Sequence, residues 1–148
     1  MRRIPPPPGR RFIVYTEQWR TELSEMKDRG HLDELKCVAT AALFVEQNGK
    51  KGLHRLDSVN GEIRSPILGG FSDVLAEICC PHSVNVDAGE PCYRGIFAES
   101  GDNKLVGFLF LGNKNDLSGL RGNDWYPPAV EHAVSQWKVE VRRIADDG

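Results

Sequence analysis

Apolar residues recur along the chain at periods that change from segment to segment, and the changes predict its elements. Phe12 to Tyr15 is a short apolar run that predicts a first strand. From about Glu17, Trp19, Leu23 and Met26 return at helical spacing, with Thr16 positioned to cap the helix and Asp28-Arg29-Gly30 to end it. A second helix is predicted from Leu32 to Gln47. Its expected buried stripe is Leu32, Leu35, Ala39, Ala42 and Leu43, and Asn48-Gly49 supplies a C-terminal stop. The two helices follow one another closely, which predicts an antiparallel helical hairpin.

After Gly52 the period shortens. Leu53 to Asp57 and Ile63 to Leu68 read as short strands or irregular structure, and Val74 to Cys80, Cys92 to Glu99 and Lys104 to Leu111 as better strands. The last two flank Ser100-Gly101-Asp102-Asn103, whose turn chemistry predicts a hairpin. Leu105 to Leu111 is apolar on both faces, broken by Gly107, and should be a central strand covered on both sides. Gly112 to Asp124 is polar and glycine-rich and reads as a loop. Pro127-Pro128 then opens a last helix, with Val130, Val134, Trp137, Val141 and Ile144 as its apolar stripe. The predicted class is α+β: an N-terminal strand and helical hairpin packed on a small antiparallel sheet, followed by a C-terminal helix. One domain is expected over 12–148. It follows a basic arm over 1–11, where the run IPPPPGRR favours an extended polyproline conformation.

The composition is that of a globular domain: 148 residues, 40% hydrophobic and 27% charged. No apolar run approaches the ~20 residues of a membrane helix. No apolar stretch follows the N-terminal arginines, so no secretory signal is read and the expected compartment is the cytoplasm, away from membranes. The four cysteines, Cys37, Cys79, Cys80 and Cys92, do not resemble the framework of a small secreted protein, and free buried thiols are expected. The formal net charge of -2 lacks the basic excess usual in proteins that grip nucleic-acid phosphates.

Three constellations have chemical interest. Cys79, Cys80, His82 and Cys92 are all zinc-ligand types. Adjacent strand residues point to opposite faces, however, so Cys79 and Cys80 should not share a metal, and none is expected. No G-x-S-x-G, G-x-x-x-x-G-K-[ST] or G-x-G-x-x-G run occurs, so no nucleotide or other cofactor is expected either, and Gly69-Gly70-Phe71 reads as a turn. The third is a pair of cations. Arg94 opens one strand and Lys114 stands just past the end of the next. Pairing through the Ser100–Asn103 turn would bring both to one edge of the sheet, where they would either hold a phosphate or serve as ordinary surface cations. Arg94 shares a face with Ile96 and Ala98, so it needs a carboxylate such as Glu77 or a groove that receives an anion.

The order of short motifs resembles the RelE/HigB-like toxin superfamily, especially its phage-derived branch. The corresponding text is Leu68-Gly69-Gly70-Phe71-Ser72-Asp73-Val74-Leu75-Ala76-Glu77-Ile78, then Tyr93-Arg94, then Leu105 to Lys114, then a helix with Pro128-Ala129-Val130-Glu131-His132-Ala133. The resemblance implies a RelE/ParE-like fold and the toxin of a toxin–antitoxin pair. Such a toxin is an endoribonuclease that cuts mRNA, often on the ribosome, using the RNA's own 2′-hydroxyl. It also implies a cognate antitoxin as partner. By position, Arg94 and Lys114 match the family's functional cations, and Tyr126 and His132 are its acid or base candidates. The alternative is a non-catalytic interaction protein of the same fold, acting on a gyrase-type target or as a phage accessory protein.

Overall fold

In a computed structural model, residues 11–50, 54–67, 72–82, 89–102, 104–116 and 119–147 are described. They form β1 (Phe12–Tyr15), α1 (Glu17–Asp28), α2 (Leu32–Asn48), β2 (His54–Leu56), β3 (Gly61–Arg64), β4 (Leu75–Cys80), β5 (Tyr93–Glu99), β6 (Leu105–Asn113), a 3₁₀ turn at Gly122–Trp125, and α3 (Tyr126–Asp147). The strands make one sheet in the order β1-β6-β5-β4-β3-β2. The class is therefore α+β, with a C-terminal helix as expected. The sheet is larger than expected and mixed: β1 runs parallel to β6, while the other neighbours are antiparallel. A parallel pair needs a long crossover, and here the helical hairpin and four strands intervene between its members.

Each face of the sheet has its own core. On one side Trp19, Met26, Val38, Ala41 and Val45 of α1 and α2 meet Ala76, Ile78, Phe97 and Phe108. On the other, Trp125, Tyr126, Ala129 and Ala133 meet Leu75, Ile96 and Leu109. Strand alternation explains the division along β4, where Ala76, Ile78 and Cys80 face the hairpin and Leu75, Glu77 and Cys79 face α3. Strand glycines receive the tryptophans. A Cβ at Gly95 would overlap the Trp19 indole, one at Gly112 would stand 3.1 Å from Trp125, and one at Gly107 would stand 3.1 Å from Trp137. Thr16 starts α1 as expected, its Oγ1 accepting from the Trp19 N–H at 3.2 Å, and it also donates to the Leu109 carbonyl at 3.0 Å.

Several expectations are corrected. In α2 the buried face is Cys37, Val38, Ala41, Ala42 and Val45, while Leu32, Ala39 and Leu43 are exposed. Two apolar stripes were available on this helix, and the one that turns inward packs Val38, Ala41 and Val45 on the sheet and carries Cys37, which is disulfide-bonded to Cys80. Free thiols were expected at all four cysteines, but only Cys79 and Cys92 are free. In α3, Val130, Val134 and Trp137 pack against the core as expected, but the fully buried positions beside them are Ala129 and Ala133, Val141 is exposed, and Glu140 is buried. The segment expected to be a loop is shorter at both ends, because β6 continues to Asn113 and the 3₁₀ turn begins at Gly122. Residues 1–10 of the arm, and Gly69-Gly70-Phe71, lie outside the described residues. Arg11 belongs to the folded body, donating to Glu99 at 3.0 Å. Among the described residues no helix is long and apolar enough to cross a membrane.

Candidate functional site

The hairpin geometry brings the two cations to one end of the sheet. Arg94 is the second residue of β5 and stands opposite Cys79 of β4 and Gly112 of β6. It is completely buried. Its Nη1 donates to the carbonyls of Pro81 and Tyr93, each at 3.0 Å. Its Nε and Nη2 have no hydrogen-bond partner among the described residues. Among the described residues no hydrogen bond or ion pair joins Arg94 to Glu77, which acts on it only as a nearby charge, and the guanidinium is not exposed.

Lys114 follows the last residue of β6 and is fixed through its backbone. Its N–H donates to Cys92 at 2.9 Å, and its carbonyl accepts from Gly122 at 2.9 Å. Its Nζ lies 4.9 Å from the centre of the Tyr126 ring. Partial burial, and then repulsion from Arg94, hold the ammonium below the ordinary lysine pKa. Tyr126, the first residue of α3, is buried and donates its hydroxyl to Glu77 Oε2 at 2.7 Å. Burial, then the Glu77 carboxylate, push its pKa far up, so it keeps its proton at all ordinary pH values. Burial likewise raises the Cys79 thiol, which keeps that sulfur inert.

A polar seam continues from here across the α3 face. Glu77 Oε1 lies 4.0 Å from Arg64, Arg64 pairs with Glu62, and Glu62 with Arg55 at 3.2 Å. Strand register makes this possible, since Arg64 stands opposite Glu77 and Arg55 opposite Glu62. Glu62 and Arg64 were not singled out from sequence. The signal was present in the alternation of Gly61-Glu62-Ile63-Arg64, which puts both charges on one face.

Of the four residues named from sequence, Arg94, Lys114 and Tyr126 converge and His132 does not join them. His132 sits in the second turn of α3, its ring edge-on to Phe110 at 5.1 Å. It lines a cleft of about 430 Å³ between α1 and α3, together with Gln18, Glu22, Arg29 and Trp125. At the cysteine-rich segment, Cys80 is bonded to Cys37 on the hairpin side and Cys79 faces α3. Among the described residues no three histidine, cysteine or acidic side chains converge as a metal-ligand set.

No family model, curated protein or solved structure matches the chain.

Proposed function

We propose that the chain is an mRNA-cleaving endoribonuclease of the RelE/HigB-like kind, the toxin half of a toxin–antitoxin pair. The observation that supports this reading is the convergence of Arg94, Lys114 and Tyr126. They are distant in sequence, each is a candidate on the motif resemblance, and they meet at the end of β5 and β6.

Cleavage by the RNA's own 2′-hydroxyl requires a base for that proton, stabilisation of charge on the phosphorane-like transition state, and an acid for the leaving 5′-oxygen. Lys114 is the half-exposed member of the trio and the one whose pKa is lowered, so a larger fraction of it is neutral than of a free lysine. In this reading Lys114 exchanges the proton, a role that moves to it from His132. Arg94 is sealed beneath and acts through Lys114, biasing its protonation by charge repulsion. Tyr126 covers the ammonium with its ring and is held in place by Glu77.

The test is expression in growing bacteria. Wild-type protein should arrest growth with loss of intact message, and Lys114→Met should restore growth at equal protein level. Unimpaired growth with intact message at high wild-type expression would reject the reading.

The complete burial of Arg94 favours a second reading, a non-catalytic interaction protein of the RelE/ParE kind with a gyrase-type or phage-related target. Growth arrest with intact message and a stable captured protein partner would select it over the first.

A further inference from the structure

The Cys37–Cys80 disulfide is unabsorbed by the site described above. It joins the second turn of α2 to the last residue of β4, with 6.0 Å between the α-carbons. Its surroundings are built around it: a Cβ at Gly61, on the neighbouring strand, would come within 2.5 Å of the Cys37 sulfur. Both cysteines are nearly enclosed, at 4% and 1% exposure, yet both line an open cleft of about 340 Å³. Asp33, Glu34 and Lys36 of α2 line the same cleft, as do Ser58 and Asn60. The bond can therefore be approached from solvent through this cleft.

The chain's other thiols are poor reductants for it. Cys79 faces the opposite side of the sheet, and burial raises its pKa well above the range where thiolate forms. Cys92 is also buried. An attacking thiol must come from outside.

We propose that Cys37–Cys80 is a thiol-exchange site that takes a small external thiol, with a preference for uncharged or cationic thiols over anionic ones. An incoming thiolate attacks one of the two sulfurs. The S–S bond breaks, the other cysteine leaves as a thiolate and takes up a proton, and a mixed disulfide remains. A second molecule of the same thiol attacks that mixed disulfide. It releases the small-molecule disulfide and leaves Cys37 and Cys80 as two thiols, with two electrons transferred from the two reductant molecules. The preference follows from charge: among the described residues that line the cleft, Asp33 and Glu34 are anionic and Lys36 is cationic, so the lining opposes an anionic reactant.

The state of this bond also bears on the other face of the sheet. Cys80 is followed directly by Pro81, whose carbonyl accepts from Arg94 Nη1 at 3.0 Å. Reduction frees α2 from that corner and loosens the segment that holds the guanidinium. The exchange itself does not rest on the ribonuclease reading, and its test reads thiols rather than RNA.

The full-length native protein is incubated with cysteamine or with glutathione at equal thiolate concentration, then alkylated and mapped by mass spectrometry. Cys37 and Cys80 should become alkylated while Cys79 and Cys92 stay protected. Cysteamine should act several-fold faster, and Asp33→Asn with Glu34→Gln should shrink that ratio. Alkylation of all four cysteines at one common rate would mean that reduction waits on global unfolding, and would overturn the proposal. Equal rates for the two thiols would overturn the stated preference. Four alkylatable thiols before any reductant is added would also overturn the proposal, by showing that the bond does not form.

Discussion

Arg94 is the residue at which stability and chemistry separate most clearly. It is fully enclosed, and two of its three nitrogens have no hydrogen-bond partner among the described residues. A buried donor without a partner costs about 1–3 kcal/mol. An apolar chain of similar length avoids that cost while still filling the space. Arg94→Ala, in contrast, leaves a cavity, and large-to-small changes at such sites cost about 2–5 kcal/mol. In urea unfolding, Arg94→Met should therefore stay within about 2 kcal/mol of wild type, with Arg94→Ala clearly less stable. Equal losses in both variants would mean that the guanidinium's two carbonyl contacts dominate and that the orphaned donors cost little. Lys114 makes a complementary prediction in pH. Its folded pKa is lowered by burial and by Arg94, so between that value and the ordinary lysine value of ~10.4 the unfolded chain binds more protons than the folded one. Stability carried by this group must then rise with pH across that window. Lys114→Met should remove the rise, so the difference between wild type and variant should shift in favour of wild type as the buffer becomes more alkaline. An unchanged difference over that range would show that the ammonium is not perturbed.

Among the elements, the meeting of indoles with strand glycines governs how helices seat on the sheet. Trp19 of α1 is fully buried against Gly95, and a methyl group there would overlap its ring. A Cβ at Gly112 would stand 3.1 Å from the Trp125 indole. Overpacking typically costs about 1–3 kcal/mol. Gly95→Ala should fall at or above the top of that range and Gly112→Ala toward the bottom, as read from thermal midpoints. A milder effect at Gly95 than at Gly112 would show that α1 can shift while the 3₁₀ turn carrying Trp125 cannot. Much at this scale was legible beforehand. Thr16 stands before a helical period and caps it, and Ser100–Asn103 separates two apolar runs that do pair. The buried face of α2 was not legible, because Leu35, Ala39 and Leu43 make as good an apolar stripe as Cys37, Ala41 and Val45. The choice depends on the sheet residues that α2 packs against, Cys80 among them 43 residues away in sequence, and local periodicity carries no such information. The same limit hid the parallel pairing of β1 with β6, since a strand's partner is set by the whole sheet.

At the scale of the molecule, two layers of helices enclose a mixed sheet whose α3 side carries buried charge. Glu62, Glu77 and Arg94 are all fully buried on the strands beneath this layer. The convergence of Arg94 and Lys114 was legible because a hairpin fixes which strand ends meet. The position of Tyr126 depended on how α3 docks, and its bond to Glu77 joins the helix start to β4. His132 lies apart from the trio, on the face of α3 that lines the α1 cleft, and that placement too depends on how α3 docks. The central claim is that this end of the sheet cuts RNA by its own 2′-hydroxyl, with Lys114 exchanging the proton. The most direct measurement is the chemistry of new RNA ends in cells expressing wild type or Lys114→Met at matched levels. Wild type should produce fragments ending in 2′,3′-cyclic phosphate, and Lys114→Met should produce almost none while keeping its thermal midpoint. No new cyclic-phosphate ends with wild type, or undiminished cleavage by Lys114→Met, would contradict the account.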